Sequence, residues 1–238
     1  LKKSLFVLLL VVGILVADQA LKIWVKTSFY YGEMRPILGL SWARLNFVEN
    51  PGMAFGMQFG GDYGKLILSL FRIGMIGFLI VLIRRFIKDP KTSFGLLFGL
   101  ACILSGAIGN MVDCAFYGLI FSESTLYHSQ IATMFPPTGG YAPFLHGRVV
   151  DMFYFPMGQF PDWLPYLGGR TFFEPVFNIA DTAISTGVVW ILLFQRRYFA
   201  DTPAPETETT PETPTAETNT ENAINEPDTP KRDPSSLN

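Results

Sequence analysis

The sequence predicts an α-helical integral membrane protein, with four transmembrane helices and a small extracytoplasmic region of strands and loops. Three observations predict it. Only 16% of the 238 residues are charged, where a soluble domain carries about a quarter, and 49% are hydrophobic. Four stretches are long and apolar enough to cross a bilayer, which takes about 20 helical residues. Basic residues gather at one set of span ends.

The first span is expected from about Leu5 to Trp24. "LKKSLFVLLLVVGILVADQA" also has the outline of a cleavable signal peptide, a basic start and then an apolar run. The polar stretch "DQALK" that ends it argues for a retained helix. The next spans are expected at about Leu66–Ile83, Ser93–Val112 and Val176–Phe194. Lys2, Lys3, Arg84, Arg85, Lys88, Lys91, Arg196 and Arg197 lie in three short flanks. Seven other bases spread over the opposite side, so both termini and the loop 84–92 are expected to be cytoplasmic.

Segments 25–65 and 113–175 are then outer. "ILGLSWARLNFVEN" alternates partly and reads as one or two strands, ended by the turn "NPG". "MFPPTGGYAPFLHG" reads as loop. Trp24, Trp42 and Trp163 suit an interfacial aromatic belt. The membrane domain is expected over residues 1–200. Residues 201–238 hold nine acids and two bases with no aromatic residue, which predicts a disordered, acidic, Thr/Pro/Glu-rich cytoplasmic tail. Cys102 and Cys114, if on one helix, are about 18 Å apart along its axis, too far for a disulfide. With His128 and His146 they offer no metal-ligand spacing, and neither metal nor cofactor is expected.

Ionisable residues inside spans mark functional sites by default. Asp18 and Lys22 share a helix face at i,i+4, the spacing of a salt bridge. Asp113 and Asp181 each follow an Asn by three residues, Asn110 and Asn178, and helical rise puts both in the outer half. Gly106, Ala107 and Gly109 favour close helix packing. Two neighbouring carboxyls share a proton. The ionised one activates a water and the protonated one polarises a carbonyl, which is aspartic peptidase chemistry. No Gly-x-Ser-x-Gly and no paired Ser and His on the spans support a nucleophilic alternative. Asp151 is a third outer acid, fit to orient another Asp, to pair with Arg148 or to cap a short element. Arg72, inside the second span, either snorkels or pairs with an acid.

In order, the chain shows "DQALK" (18–22), "NFVENPGMAFGM" (46–57), "GAIGNMVD" (106–113), "GRVVDMF" (147–153) and "FNIADTAI" (177–184). This set resembles the lipoprotein signal peptidase, or signal peptidase II, family over about residues 5–197. The resemblance implies a bacterial inner-membrane aspartic endopeptidase with its site near the outer leaflet. Its substrates would be diacylglyceryl-modified prolipoproteins, cut before the lipidated cysteine. Membrane lipids are the other expected partners; no nucleic acid and a monomer are expected. The resemblance maps the catalytic pair onto Asp113 and Asp181. Supporting or substrate-binding positions fall on Asp18, Lys22, Asn50, Gly52, Asn110, Arg148, Asp151 and Asn178, with Asn50 holding the substrate backbone. Two departures stand out. Cys114 occupies the place of a family Arg, for which Arg148 is the candidate replacement. The segment 114–146 is longer than the usual link, as a lid or a partner surface would be.

Two other functions are compatible with intramembrane acids. An ion relay needs polar groups through the whole membrane, and no ionisable residue occurs from Leu5 to Ala17 or from Thr182 to Phe194. A non-catalytic scaffold draws support from Cys114 but not from the two retained aspartates.

Overall fold

The computed structural model describes residues 2–51, 61–126 and 130–194, with the side chains of 61–63 excepted. Gly52, His128, Arg196, Arg197 and the acidic tail lie outside the described residues.

Four long helices and one small sheet frame the described residues. Helix α1 is Lys2–Ser28, α2 is Gly61–Lys88, α3 is Phe94–Val112 and α4 is Ile179–Phe194. The first three are long and apolar enough to cross a membrane; α4 is apolar and shorter over its described length. Helix α3 is the centre of the bundle. Leu96, Leu97, Leu100, Ala101 and Leu104 are buried along it, whereas α1 exposes Leu5, Leu8 and Leu9 and α2 exposes Ile67, Leu70 and Phe71. Exposed apolar faces around a buried central helix suit a lipid surrounding. Ser93 starts α3 as a cap, its hydroxyl accepting from the Leu96 N–H at 3.1 Å.

Contact between α3 and α4 depends on absent side chains. A Cβ on Gly106 would lie 2.2 Å from the Ala180 carbonyl oxygen, and one on Gly187 would lie 2.5 Å from that of Gly99. Small residues at these points let the two backbones touch.

The sheet is antiparallel, in the order β1 (Met34–Pro36), β2 (Arg44–Asn50), β3 (Val149–Tyr154) and β4 (Val176–Phe177). Val48, Glu49 and Asn50 face Asp151, Val150 and Val149, and the register shifts between Leu45 and Val48. Val25, Phe29, Phe47, Tyr117, Phe121, Val150 and Met152 form a second core beneath it.

Four expectations shift. The first helix starts at Lys2 and runs to Ser28, past Trp24. The fourth begins at Ile179, because Val176 and Phe177 pair with Tyr154 and Phe153 as a strand. The stretch after Asp113 begins as helix: a π-helical turn, Asp113–Tyr117, passes into a single turn, Gly118–Ile120. Part of the 114–146 insert is core and not cover, since Phe121, Ser124 and Ala132 are buried.

Candidate active site

The start of α4 answers why an acid sits in an apolar helix. Asn178 precedes the helix and Asp181 falls in its first turn. The Asn178 side-chain oxygen accepts from the Asp181 N–H at 2.9 Å. In return the Asn178 N–H donates to Asp181 Oδ2 at 3.3 Å. This reciprocal box satisfies two helix-start donors, and a carboxylate there also meets the positive end of the helix dipole. A third free donor, the Ala180 N–H, bonds Asp18 Oδ1 at 2.9 Å.

Helix α3 brings the next group. Asn110 Nδ2 donates to Asp181 Oδ1 at 2.8 Å. Asn110 Oδ1 accepts from Lys22 Nζ at 2.9 Å and from Asn178 Nδ2 at 3.2 Å. Lys22 has no exposed surface and pairs with Asp18 Oδ2 at 2.9 Å and with Asp113 Oδ2 at 2.8 Å. The expected Asp18–Lys22 bridge is present, with Asp113 added to it.

Strand β3 supplies the third acid. Asn178 Nδ2 donates to Asp151 Oδ1 at 2.7 Å. Asn178 therefore touches both Asp151 and Asp181. Burial, and then the nearby Asp181 charge, push the Asp151 carboxyl up to about 8 from its ordinary 3.8. Burial is the larger cause and the acid neighbour the second, and both favour the protonated form of Asp151. Asp113 stands one step back. It reaches Asp181 through Lys22 and Asn110, has no exposed surface, and accepts from the Val150 N–H at 3.3 Å, next to Asp151.

Two residues that the motifs did not single out complete the support. Gln19 Nε2 donates to Asp113 Oδ1 at 2.9 Å and to Asp18 Oδ2 at 3.1 Å. Tyr117 Oη donates to Gln19 Oε1 at 3.1 Å, which fixes the orientation of the amide. Gln19 was visible inside "DQALK". Tyr117 had no signal, because the π-helical turn that aims it inward is not a periodic pattern.

The remaining predicted residues fall elsewhere. Arg148 bonds Glu123 Oε1 at 3.0 Å and lies 3.6 Å from Glu49 Oε2, so it does not take up a place beside Cys114. Arg72 does: its Nη1 lies 3.3 Å from Cys114 Sγ. Lys65 and Ser69, on the same face of α2, donate to the carbonyls of His146 and Leu145. Asn50 ends β2 opposite Val149.

A polar cluster enclosed by apolar helices and roofed by a sheet is the build of a membrane-embedded enzyme. The class narrows on comparison with known proteins. The model of the family described as Signal peptidase (SPase) II matches residues 10–196, and the chain belongs to that family. Proteins named lipoprotein signal peptidase are similar to it. That of Porphyromonas gingivalis is 49% identical over 188 residues, covering 77% of this chain and 80% of the relative. That of Amoebophilus asiaticus is 39% identical over 185 residues, covering 76% and 73%. A solved bacterial membrane enzyme shares the fold, with a TM-score of 0.51 at 21% identity, over 80% of this chain and 92% of that one. The chain is thus a membrane protease of the signal peptidase II type.

Proposed function

We propose that this chain is an aspartic endopeptidase of the bacterial cytoplasmic membrane. It removes signal peptides from diacylglyceryl-modified prolipoproteins by cutting before the lipidated cysteine. One observation carries the catalytic part: Asn178 bonds both Asp151 and Asp181. This moves the proton-sharing partner of Asp181 from Asp113, the residue expected from the motifs, to Asp151.

The pair holds one proton. Its ionised carboxylate takes a proton from water as the oxygen attacks the scissile carbonyl. Its protonated carboxyl donates to the carbonyl oxygen. Collapse of the tetrahedral adduct breaks the C–N bond, and the proton passes to the cysteine nitrogen. Asp181, half-buried, is the member more open to water and substrate. Asp113, fully buried in its pair with Lys22, acts by positioning: it holds the Val150 N–H and so the strand that bears Asp151. Asn50, at the end of β2, binds the substrate backbone.

The basic flanks support four spans with both termini cytoplasmic and the sheet outside. A substrate anchored by its acyl chains would present its scissile bond at that interface. The enzyme would act as a monomer.

The test is cleavage of a diacylglyceryl-modified prolipoprotein by the purified protein in detergent. Asp113→Asn, Asp151→Asn and Asp181→Asn would be run beside it, each checked for folding. Cleavage before the lipidated cysteine, lost in the last two variants and only reduced in the first, is the expected result. A folded Asp113→Asn without activity beside an active Asp151→Asn would return the dyad to Asp113 and Asp181. No cleavage by folded wild type would favour the scaffold.

A further inference from the structure

A second buried ion cluster lies one helical turn beyond Lys22. Asp18, Lys22 and Lys26 follow one another at four-residue steps on one face of α1. Lys22 turns to the acids; Lys26, with no exposed surface, enters a socket. Glu49 Oε1 pairs with its ammonium, which also donates to Ser124 Oγ at 2.9 Å. The rings of Tyr141, Phe121 and Phe47 lie 5.1, 5.4 and 5.9 Å from Nζ. Arg148 closes the far side against Glu49 and Glu123, and its N–H donates to the Tyr141 hydroxyl at 2.7 Å. Glu49 Oε2 accepts no hydrogen bond among the described residues.

Among the described residues, none of these ions hydrogen-bonds Asp113, Asp151 or Asp181. An apolar pair of similar volume would hold the fold as well, because desolvating two ions offsets their attraction. What the ions do specify is which segments meet. Lys26 comes from α1 and Glu49 from β2. Phe121, Glu123, Ser124 and Tyr141 all come from the 114–146 insert. Glu49 also directly precedes Asn50 and faces Val150, the neighbour of Asp151.

We propose that Lys26 and Glu49 are positioning residues, through which the insert braces β2 so that Asn50 is presented to the substrate. The described part of the insert, residues 114–126 and 130–146, is therefore a fixed part of the substrate site and not a lid over it. This rests on the peptidase reading and on the substrate role of Asn50. Asp151 has its own supports in Asn178 and, through Val150, in Asp113, so loss of the brace should weaken substrate binding more than turnover.

The double variant Lys26→Met/Glu49→Leu removes both charges and leaves neither ion unpaired. It should unfold near the wild-type temperature. Its KM for a diacylglyceryl-modified prolipopeptide should rise roughly tenfold with kcat within about twofold. Amide exchange across Phe47–Asn50 should quicken. A folded double variant with wild-type KM overturns the proposal. Should the double variant fail to fold, Lys26→Gln/Glu49→Gln also leaves no ion unpaired and carries the same expectation, and wild-type KM in it is equally fatal. If wild type itself cleaves nothing, the peptidase reading fails instead. Exchange then decides the brace alone: unchanged protection of β2 rejects it and faster exchange sustains it.

Discussion

Asn178 and Asp181 cap one another: the Asn178 side-chain oxygen accepts from the Asp181 N–H at 2.9 Å, and the Asn178 N–H returns a bond to Asp181 Oδ2 at 3.3 Å. The acid of the site is thus fixed by the same bonds that begin its helix. Strand β4 ends immediately before this box, so sheet and helix meet at the carboxylate.

Asp151 would give the proposed pair its pH dependence. Its folded carboxyl titrates at about 8 and its ordinary value is 3.8, so the folded chain holds this proton more tightly than the unfolded one. Its contribution to stability is therefore full below 3.8 and declines as pH rises to about 8. Cleavage should fall above about pH 8, as the pair loses its shared proton. A pH–rate profile in detergent, flat from 7 to 10, would remove Asp151 from the pair.

Lys22→Met should be among the most damaging single changes. It leaves Asp18 and Asp113 buried without their counter-charge, at a cost of roughly 3–5 kcal/mol. Thermal unfolding in detergent would measure it. A loss below about 1 kcal/mol would mean that the two acids are not ionised around Lys22.

Gly106→Ala should separate α3 from α4. Its Cβ would stand 2.2 Å from the Ala180 carbonyl oxygen, one residue from Asp181. Overpacking of this kind costs about 1–3 kcal/mol. Cleavage should drop with stability. Gly74→Ala on α2, where a Cβ meets nothing within 4 Å, is the control and should change neither.

Tyr117→Phe removes the donor to Gln19 Oε1 and frees the amide to turn away from Asp113. A loss of about 1 kcal/mol and a several-fold lower kcat at unchanged KM are expected. Steady-state kinetics with the same substrate would decide whether Gln19 needs this partner.

Deleting residues 203–238 should leave cleavage intact. The family match ends at residue 196, and the deleted segment is acidic and without aromatic residues. Loss of activity in the shortened chain would give the tail a role that its composition does not suggest.

The helices were legible because span length and apolar content act locally. So was the pairing of Asp18 with Lys22, and the shared Asn-x-x-Asp spacing of 110–113 and 178–181. The start of the fourth helix was not. Val176 and Phe177 are as apolar as the helix they precede, and only β3, some twenty residues earlier, makes them a strand. The partner we propose for Asp181 was hidden for the same reason. Two helical acids with matching Asn residues looked like a pair, while Asp151 reaches the site from a strand whose register depends on β2. Arg148 looked available to replace a missing arginine by sequence proximity, but Glu49 and Glu123 hold it and Arg72 reaches Cys114 from another helix.

The cap that starts α4 has a consequence for life in membranes of changing thickness. A transmembrane segment answers a thicker or thinner bilayer by tilting or by shifting its ends. Here Asp181 is indexed to Asn178 and Asn110, and its neighbour Ala180 to Asp18, not to depth. With α4 spanning the bilayer, as we propose, a cell that remodels its lipids would strain its far end, near Phe194, and leave the acids in register with the sheet.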